Sequence, residues 1–191
     1  MKNIFKLLSL ILVFSMLLSS FISCDAPEND GTSDEADDKD GDDNLPPVGN
    51  AIGKRCISTN LELIGGGTVN ISDFKGKIVI INFWGTWCPP CMSELPEFNE
   101  VAEEYADSVV VLTVHSEDGV ENAPNHIATN FADSKMIFAK DKVNEGYYRA
   151  LNPGQNTYPI TIIVDARGVI AARAVGTLTK AQLIAEIEKI K

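Results

Sequence analysis

Two cysteines separated by two prolines, Cys88-Pro89-Pro90-Cys91, are the residues whose types and spacing speak most directly of chemistry. Such a pair can close and reopen a small disulfide ring, or it can supply half of a four-ligand metal site. A metal site needs two further ligands. The remaining candidates, Cys56, His115 and His126, are nowhere paired at ligand spacing, so no metal is expected. The flanking residues favour redox chemistry. Residues 78–81 are Ile-Val-Ile-Ile, branched and without polar alternation, as in a strand buried on both faces. Beyond the cysteines the period changes, and Met92, Leu95, Phe98, Ala102 and Tyr105 recur at spacings of three and four along one helical face. Cys88 therefore falls at a helix N-terminus, where unpaired N–H groups and the helix dipole favour a thiolate, the attacking species in disulfide exchange. Pro89 is tolerated there because the first helical N–H groups have no intrahelical acceptor. Cys91, one turn on, is placed to resolve a mixed disulfide formed at Cys88. The redox-active group is the cysteine pair itself, with no further cofactor.

The elements that must hold this pair lie behind a leader and an acidic stretch. Residues 1–23 open with Lys2 and Lys6 and continue into an apolar core over residues 7–18, interrupted by Ser9 and Ser15, as in an export signal. Extended to residues 4–22, the same stretch would just span a bilayer as an uncleaved anchor. Phe21-Ile22-Ser23-Cys24 resembles a bacterial lipoprotein signal, which implies cleavage before Cys24 and lipid on that cysteine. A diacylated chain holds a membrane stably where one acyl chain binds marginally. Either anchor puts the rest of the protein outside the cytoplasmic membrane. Of the formal charge of −11, residues 25–43 carry −9, with ten acids against Lys39. Residues 24–47 are accordingly expected to form a lipidated, acidic, disordered linker whose function is reach. Residues 44–191 carry only −4, and no basic patch points to nucleic acid.

A folded domain is expected over residues 48–191. It opens with residues 56–63 and 68–71 as the arms of a hairpin around Gly65-Gly66-Gly67. Cys56 reads as a buried, inert thiol. Residues 109–114 form a second apolar strand, completing a parallel strand–helix–strand unit. A short helix is expected over residues 125–131, with His115 and His126 as polar residues at a strand end and on a helix. Residues 136–139 read as a strand, and Val143, Tyr147 and Leu151 mark a helix. Pro159 opens a β-branched strand, residues 166–168 turn the chain, and residues 169–175 return antiparallel. Thr179 and Gln182 have capping-box spacing at the start of a last helix, whose Leu183, Ile187 and Ile190 face inward.

Residues 87–96, Trp-Cys-Pro-Pro-Cys-Met-Ser-Glu-Leu-Pro, resemble the thioredoxin superfamily, and within it the TlpA/ResA-type membrane-anchored branch. The likeness runs over residues 45–191 and includes the approach through Lys75-Gly76-Lys77 and the Tyr158-Pro159 pair. It implies a thioredoxin-like α/β fold, a central mixed sheet flanked by helices, with an N-terminal β-hairpin. It also implies a cis Pro159 opposite the cysteines, Tyr158 offering its backbone to a substrate, and Trp87, Pro89 and Pro90 shaping the docking surface. The implied activity is thiol–disulfide exchange on exported proteins, apocytochromes before haem attachment among them, with electrons supplied by a membrane thiol carrier. The resemblance favours a reductase over a disulfide-forming oxidase. Related copper-delivery modules use a longer cysteine gap and a histidine in a late loop, where this chain has none. Peroxidases favour Thr-x-x-Cys, and Thr86 stands only two residues before Cys88.

Thioredoxins keep a buried aspartate at the strand position where this chain has Asn82, and an amide takes no proton at neutral pH. Resolution still requires a buried Cys91 to lose its proton, although burial lifts a thiol above its ordinary pKa of ~8.5. Glu94, one turn beyond Cys91, matches the CxxCxxE context of the TlpA/ResA branch and is expected to manage that proton. A first-turn acid that only complements the helix dipole is the alternative.

Overall fold

The computed structural model describes residues 44–116, 118–142 and 146–191. The expected export signal, Cys24 and residues 25–43 of the linker lie outside the described residues, as does Val143. Short strands β1 (Val48–Gly49) and β2 (Arg55–Cys56) pair in parallel ahead of the main sheet. That sheet is built from β3 (Leu61–Leu63), β4 (Thr68–Val69), β5 (Ile78–Trp84), β6 (Val109–His115), β7 (Ile137–Lys140), β8 (Ile160–Val164) and β9 (Ile170–Val175). Its strand order is β4-β3-β7-β6-β5-β8-β9, with β5, β6 and β7 mutually parallel and β3, β4, β8 and β9 joined by antiparallel pairings. Four helices accompany it among the described residues: α1 (Pro89–Glu104), α2 (Ala123–Asn130), α3 (Tyr147–Leu151) and α4 (Lys180–Glu188). The fold is thioredoxin-like, a mixed sheet flanked by helices, as the resemblance implied.

Strand β5 is buried along its whole length, which explains its unbroken apolar run. Its pleat sends Ile78, Ile80 and Trp84 into a core with Leu95, Phe98 and Val101 of α1 and Leu183 and Ile187 of α4. Val79, Ile81 and Phe83 enter the opposite core, against Tyr147, Tyr148 and Leu151 of α3. Asn82 shares the parity of Ile80 and Trp84, so the one polar residue of the strand is aimed toward α1. The last helix starts as its sequence indicates, Thr179 N–H donating to Gln182 Oε1 at 2.9 Å and the Thr179 hydroxyl accepting from Gln182 N–H.

Three expectations need correction. The hairpin is β3–β4 alone, because residue 56 belongs to β2, where Cys56 N–H bonds Gly168 O at 2.8 Å. Its second arm stops at Val69, because Asn70 instead caps a 3-10 turn (Ile71–Phe74) through a capping box with Asp73. On α1 the buried stripe is Cys91, Glu94, Leu95, Phe98, Val101 and Ala102, while Met92 and Tyr105 are half-buried. A carboxylate, Glu94, thus lies within the buried stripe.

Candidate functional site

The turn between β5 and α1 is fixed before the cysteines are reached. Trp84 pairs with His115 in the β5–β6 register, so these two parallel strands end at the same level. His115 is fully buried, its Nε2 accepts from Thr86 N–H at 2.9 Å, and its Nδ1 faces Ser116 O in a second, short hydrogen bond. Donation to a carbonyl on one side and acceptance from an amide on the other define a neutral imidazole. Burial likewise pushes its pKa below the ordinary value. The Thr86 hydroxyl donates to Gly119 O at 3.2 Å, and Trp87 Nε1 donates to Asp118 O at 2.9 Å. The Trp87 ring folds over Gly85, where a Cβ would come within 2.7 Å of ring atoms. Only glycine fits beneath it.

Cys88 is the N-cap residue of α1, with extended backbone and a sulfur that accepts from Cys91 N–H at 3.3 Å. Pro89 and Pro90 occupy the first helical positions and are exposed. Cys88 and Cys91 are joined in a disulfide with Cα atoms 5.3 Å apart. Cys88 is far less open than its terminal position suggested, at 4% exposure against 0% for Cys91. Access to the pair runs through its surroundings. Trp87 is half exposed, and its ring meets that of Tyr158 edge-on at 5.2 Å. The Tyr158–Pro159 peptide is cis, and Pro159 directly precedes Ile160, the partner of Phe83, which sets it at the cysteine end of β5. Pro159 itself is buried, so the surface there consists of Tyr158 and its backbone.

One helical turn beyond Cys91 lies Glu94, 2% exposed. Its Oε1 accepts from Asn82 Nδ2 at 2.8 Å and its Oε2 from Leu178 N–H at 2.9 Å. Burial pushes its pKa up to about 7, outweighing the two donors that favour the anion. A carboxyl that titrates near neutrality one helical turn from a buried cysteine can take up and return a proton. The Asn82 amide also reaches Thr161 Oγ1 at 3.3 Å, while its Oδ1 has no partner.

The structure thus brings Trp87, Cys88, Cys91, Glu94, Tyr158 and the backbone at Pro159 to one end of the sheet. Sequence reasoning missed His115 as the acceptor that holds Thr86. The readable signal was its position directly after a strand parallel to the one that ends at Trp84. His126 sits beside the Trp84 ring, at 6.0 Å between centroids, and takes no part in the turn.

The family model described as AhpC/TSA matches residues 52–173. The chain belongs to this family of thioredoxin-like proteins. Among its relatives, the thioredoxin-like protein YneN of Bacillus subtilis is 33% identical over 71% of this chain and 78% of its own length. The thiol-disulfide oxidoreductase ResA of Bacillus cereus is 32% identical over 73% of this chain and 78% of its own. Among solved structures, the exposed lipoprotein thioredoxin of Streptococcus pneumoniae superposes with a TM-score of 0.60 at 26% identity, covering 70% of this chain and 99% of that one. This AhpC/TSA-family protein is a thiol–disulfide oxidoreductase of the ResA type. Thr86, the residue nearest to a peroxidase-type threonine, has its hydroxyl committed to Gly119 O.

Proposed function

We propose that the protein reduces disulfides of exported proteins at the outer face of the cytoplasmic membrane, to which lipid on Cys24 tethers it. The observation that carries the mechanism is Glu94, buried between Asn82 and Leu178 on the same helix as Cys91 and titrating near neutrality. In the reduced enzyme the Cys88 thiolate attacks one sulfur of the substrate disulfide and displaces the other as a thiolate, which is protonated by water. Cys91 then gives its proton to the Glu94 carboxylate and attacks Cys88 Sγ. The bond between Cys88 and the substrate breaks, the second substrate sulfur leaves and is protonated, and the enzyme holds the Cys88–Cys91 disulfide. Two electrons have passed to the substrate. A membrane dithiol carrier restores the reduced pair by the same exchange in reverse. Trp87, Pro89, Pro90 and Tyr158 form the surface against which the substrate lies, with Pro159 fixing the backbone at its edge.

The likeness to an exposed lipoprotein thioredoxin supports the tether, and the resemblance to the TlpA/ResA branch favours the reductive direction. The resemblance to the TlpA/ResA branch extends the substrate class to apocytochromes before haem attachment. Two measurements test the proposal. The Cys88–Cys91 couple should have a midpoint near thioredoxin's ~−270 mV, whereas a value near the ~−120 mV of a strong oxidant would assign disulfide formation instead. Cys91→Ser should accumulate mixed disulfides with exported proteins through Cys88. Equal trapping by Cys88→Ser would contradict the assignment of the two roles.

A further inference from the structure

The edge that receives substrate in the proposed function is a backbone segment, and the segment leading to it has little regular structure of its own. Between α3 and β8 the chain passes through residues 152–159 with one internal backbone bond, Gln155 N–H to Asn152 O at 3.1 Å. Residues 153–157 are exposed. At its start the segment is pinned by Arg173 of β9, whose guanidinium bonds Asn152 Oδ1 and donates to Leu151 O at 2.8 Å and Asn50 O at 2.7 Å. At its far end a single side chain does the holding. The Tyr148 hydroxyl donates to Thr157 O at 2.7 Å and accepts from Thr157 N–H at 2.9 Å, so one oxygen closes both backbone groups of that residue. The Tyr148 ring lies flat on the Tyr158 ring, 4.7 Å between centroids and 13° between planes. Tyr158 in turn meets Trp87.

Tyr148 is itself fixed on every side. It is 6% exposed, its backbone N–H donates to Asp141 Oδ2 at 2.7 Å, and Phe83 of β5 packs edge-on against it at 5.3 Å. A rigid ring carrying a hydroxyl on an irregular stretch of backbone is what a docking edge requires, because a preformed edge spends less of the binding energy on ordering itself. Thr157 is exposed, so the bonds to its backbone lie at the margin of the core.

We propose that Tyr148 is a positioning residue for substrate docking. Its hydroxyl and ring hold the backbone of Thr157 and Tyr158 in one conformation ahead of substrate binding. The inference rests on the proposed use of the Tyr158 edge. Tyr148→Phe keeps the ring, its stack and its burial, and removes only the clasp on Thr157.

The test uses two disulfide probes with the reduced enzyme. A peptide with an internal Cys-x-x-Cys disulfide needs the docking edge, whereas dithiobis(nitrobenzoate) reacts with the cysteines without it. For Tyr148→Phe, KM for the peptide should rise about fivefold, the effect of one lost net hydrogen bond, with kcat unchanged. Its rate with dithiobis(nitrobenzoate) should equal that of wild type. Hydrogen exchange at the Thr157 amide should quicken, which a purely structural loss elsewhere would not produce selectively. Tyr148→Leu, which also removes the stack, should raise KM further at the same small-disulfide rate. An unchanged KM in both variants overturns the proposal. So does a parallel fall in both rates, which would place Tyr148 in the chemistry of the cysteines. Failure of wild-type enzyme to saturate with the peptide would remove the docking edge itself.

Discussion

Glu94→Gln separates a titrating carboxyl from a merely structural one, and the structure sets the size of the effect. In the folded protein the carboxyl titrates near 7, against an ordinary value of 4.5. The folded state therefore binds the proton more tightly than the unfolded chain does. The stability this contributes is fully present below pH 4.5 and is lost as pH rises through 7. With ~1.36 kcal/mol per pKa unit, the loss between pH 5 and pH 8 is about 2.5 kcal/mol. His115 and His126 act in the opposite sense, since burial lowers both, so stability is gained as pH rises through their ordinary 6.5. Both variants share that trend, and the difference between them isolates residue 94. The amide variant can still accept the Leu178 N–H. It can also donate to Asn82 Oδ1, which has no partner, once the Asn82 amide turns over. Urea unfolding of the disulfide form at pH 5, 6, 7 and 8 reads the result, with unchanged m-values as the control on the unfolded state. Wild type should lose about 2.5 kcal/mol relative to Glu94→Gln across that range. Parallel curves would show that Glu94 does not titrate in the neutral range, and its proposed part in resolving the mixed disulfide would fall with them.

Mass spectrometry of the membrane-extracted protein should find a mature chain beginning at a lipidated Cys24; an unmodified N-terminus at a later residue would refute the tether. Asp141→Ala should cost about 2–3 kcal/mol in urea unfolding, because the carboxylate accepts from Lys142 N–H at 2.8 Å, Tyr147 N–H at 2.6 Å and Tyr148 N–H at 2.7 Å. A loss under 0.5 kcal/mol would show that α3 needs no such cap. Cys56, 3% exposed and with its pKa pushed up to about 11 by burial, should resist iodoacetamide at pH 8 in the native protein and react after denaturation. Native labelling at the rate of a free thiol would contradict its placement.

Much of this site was legible because its parts are neighbours in sequence. The step from the run at residues 78–81 to the helical period beyond Cys91 located the cysteines at a strand-to-helix junction, and β5 ends at Trp84 while α1 begins directly after Cys88 and contains Cys91. Glu94 was readable for the same reason, three residues from Cys91 on the same helix, where it is buried. The contacts that fix the turn join residues distant in sequence and leave little signal, His115 only its place at the end of a strand parallel to β5. Thr86 meets His115 across 29 residues of chain, and Tyr148 reaches Thr157 through a loop with no periodic signal. Such pairings depend on which strands become neighbours. The strand order that brings β6 beside β5 is a property of the whole sheet.

The exchange of a strand carboxylate for Asn82 fits a carboxyl delivered from the helix. Glu94 lies 2.8 Å from the Asn82 amide, and two carboxyl groups at that separation could not both ionise near neutrality. With an amide at residue 82, Glu94 titrates without a second acid competing for its proton. The amide also suits both states of the carboxyl. Its N–H₂ donates to the carboxylate in the arrangement seen, and its unpaired Oδ1 becomes the acceptor for the protonated form after rotation. If Glu94 takes the proton of Cys91, as proposed, donor and acceptor ride on one helix a single turn apart. Their separation is then set by helix geometry and does not depend on how α1 packs on the sheet. The bond from Leu178 N–H to Glu94 Oε2 carries the same carboxyl to the segment that leads into α4. That amide favours the anion, so it opposes part of the rise that burial imposes and keeps the group near 7, where it can both accept and release a proton.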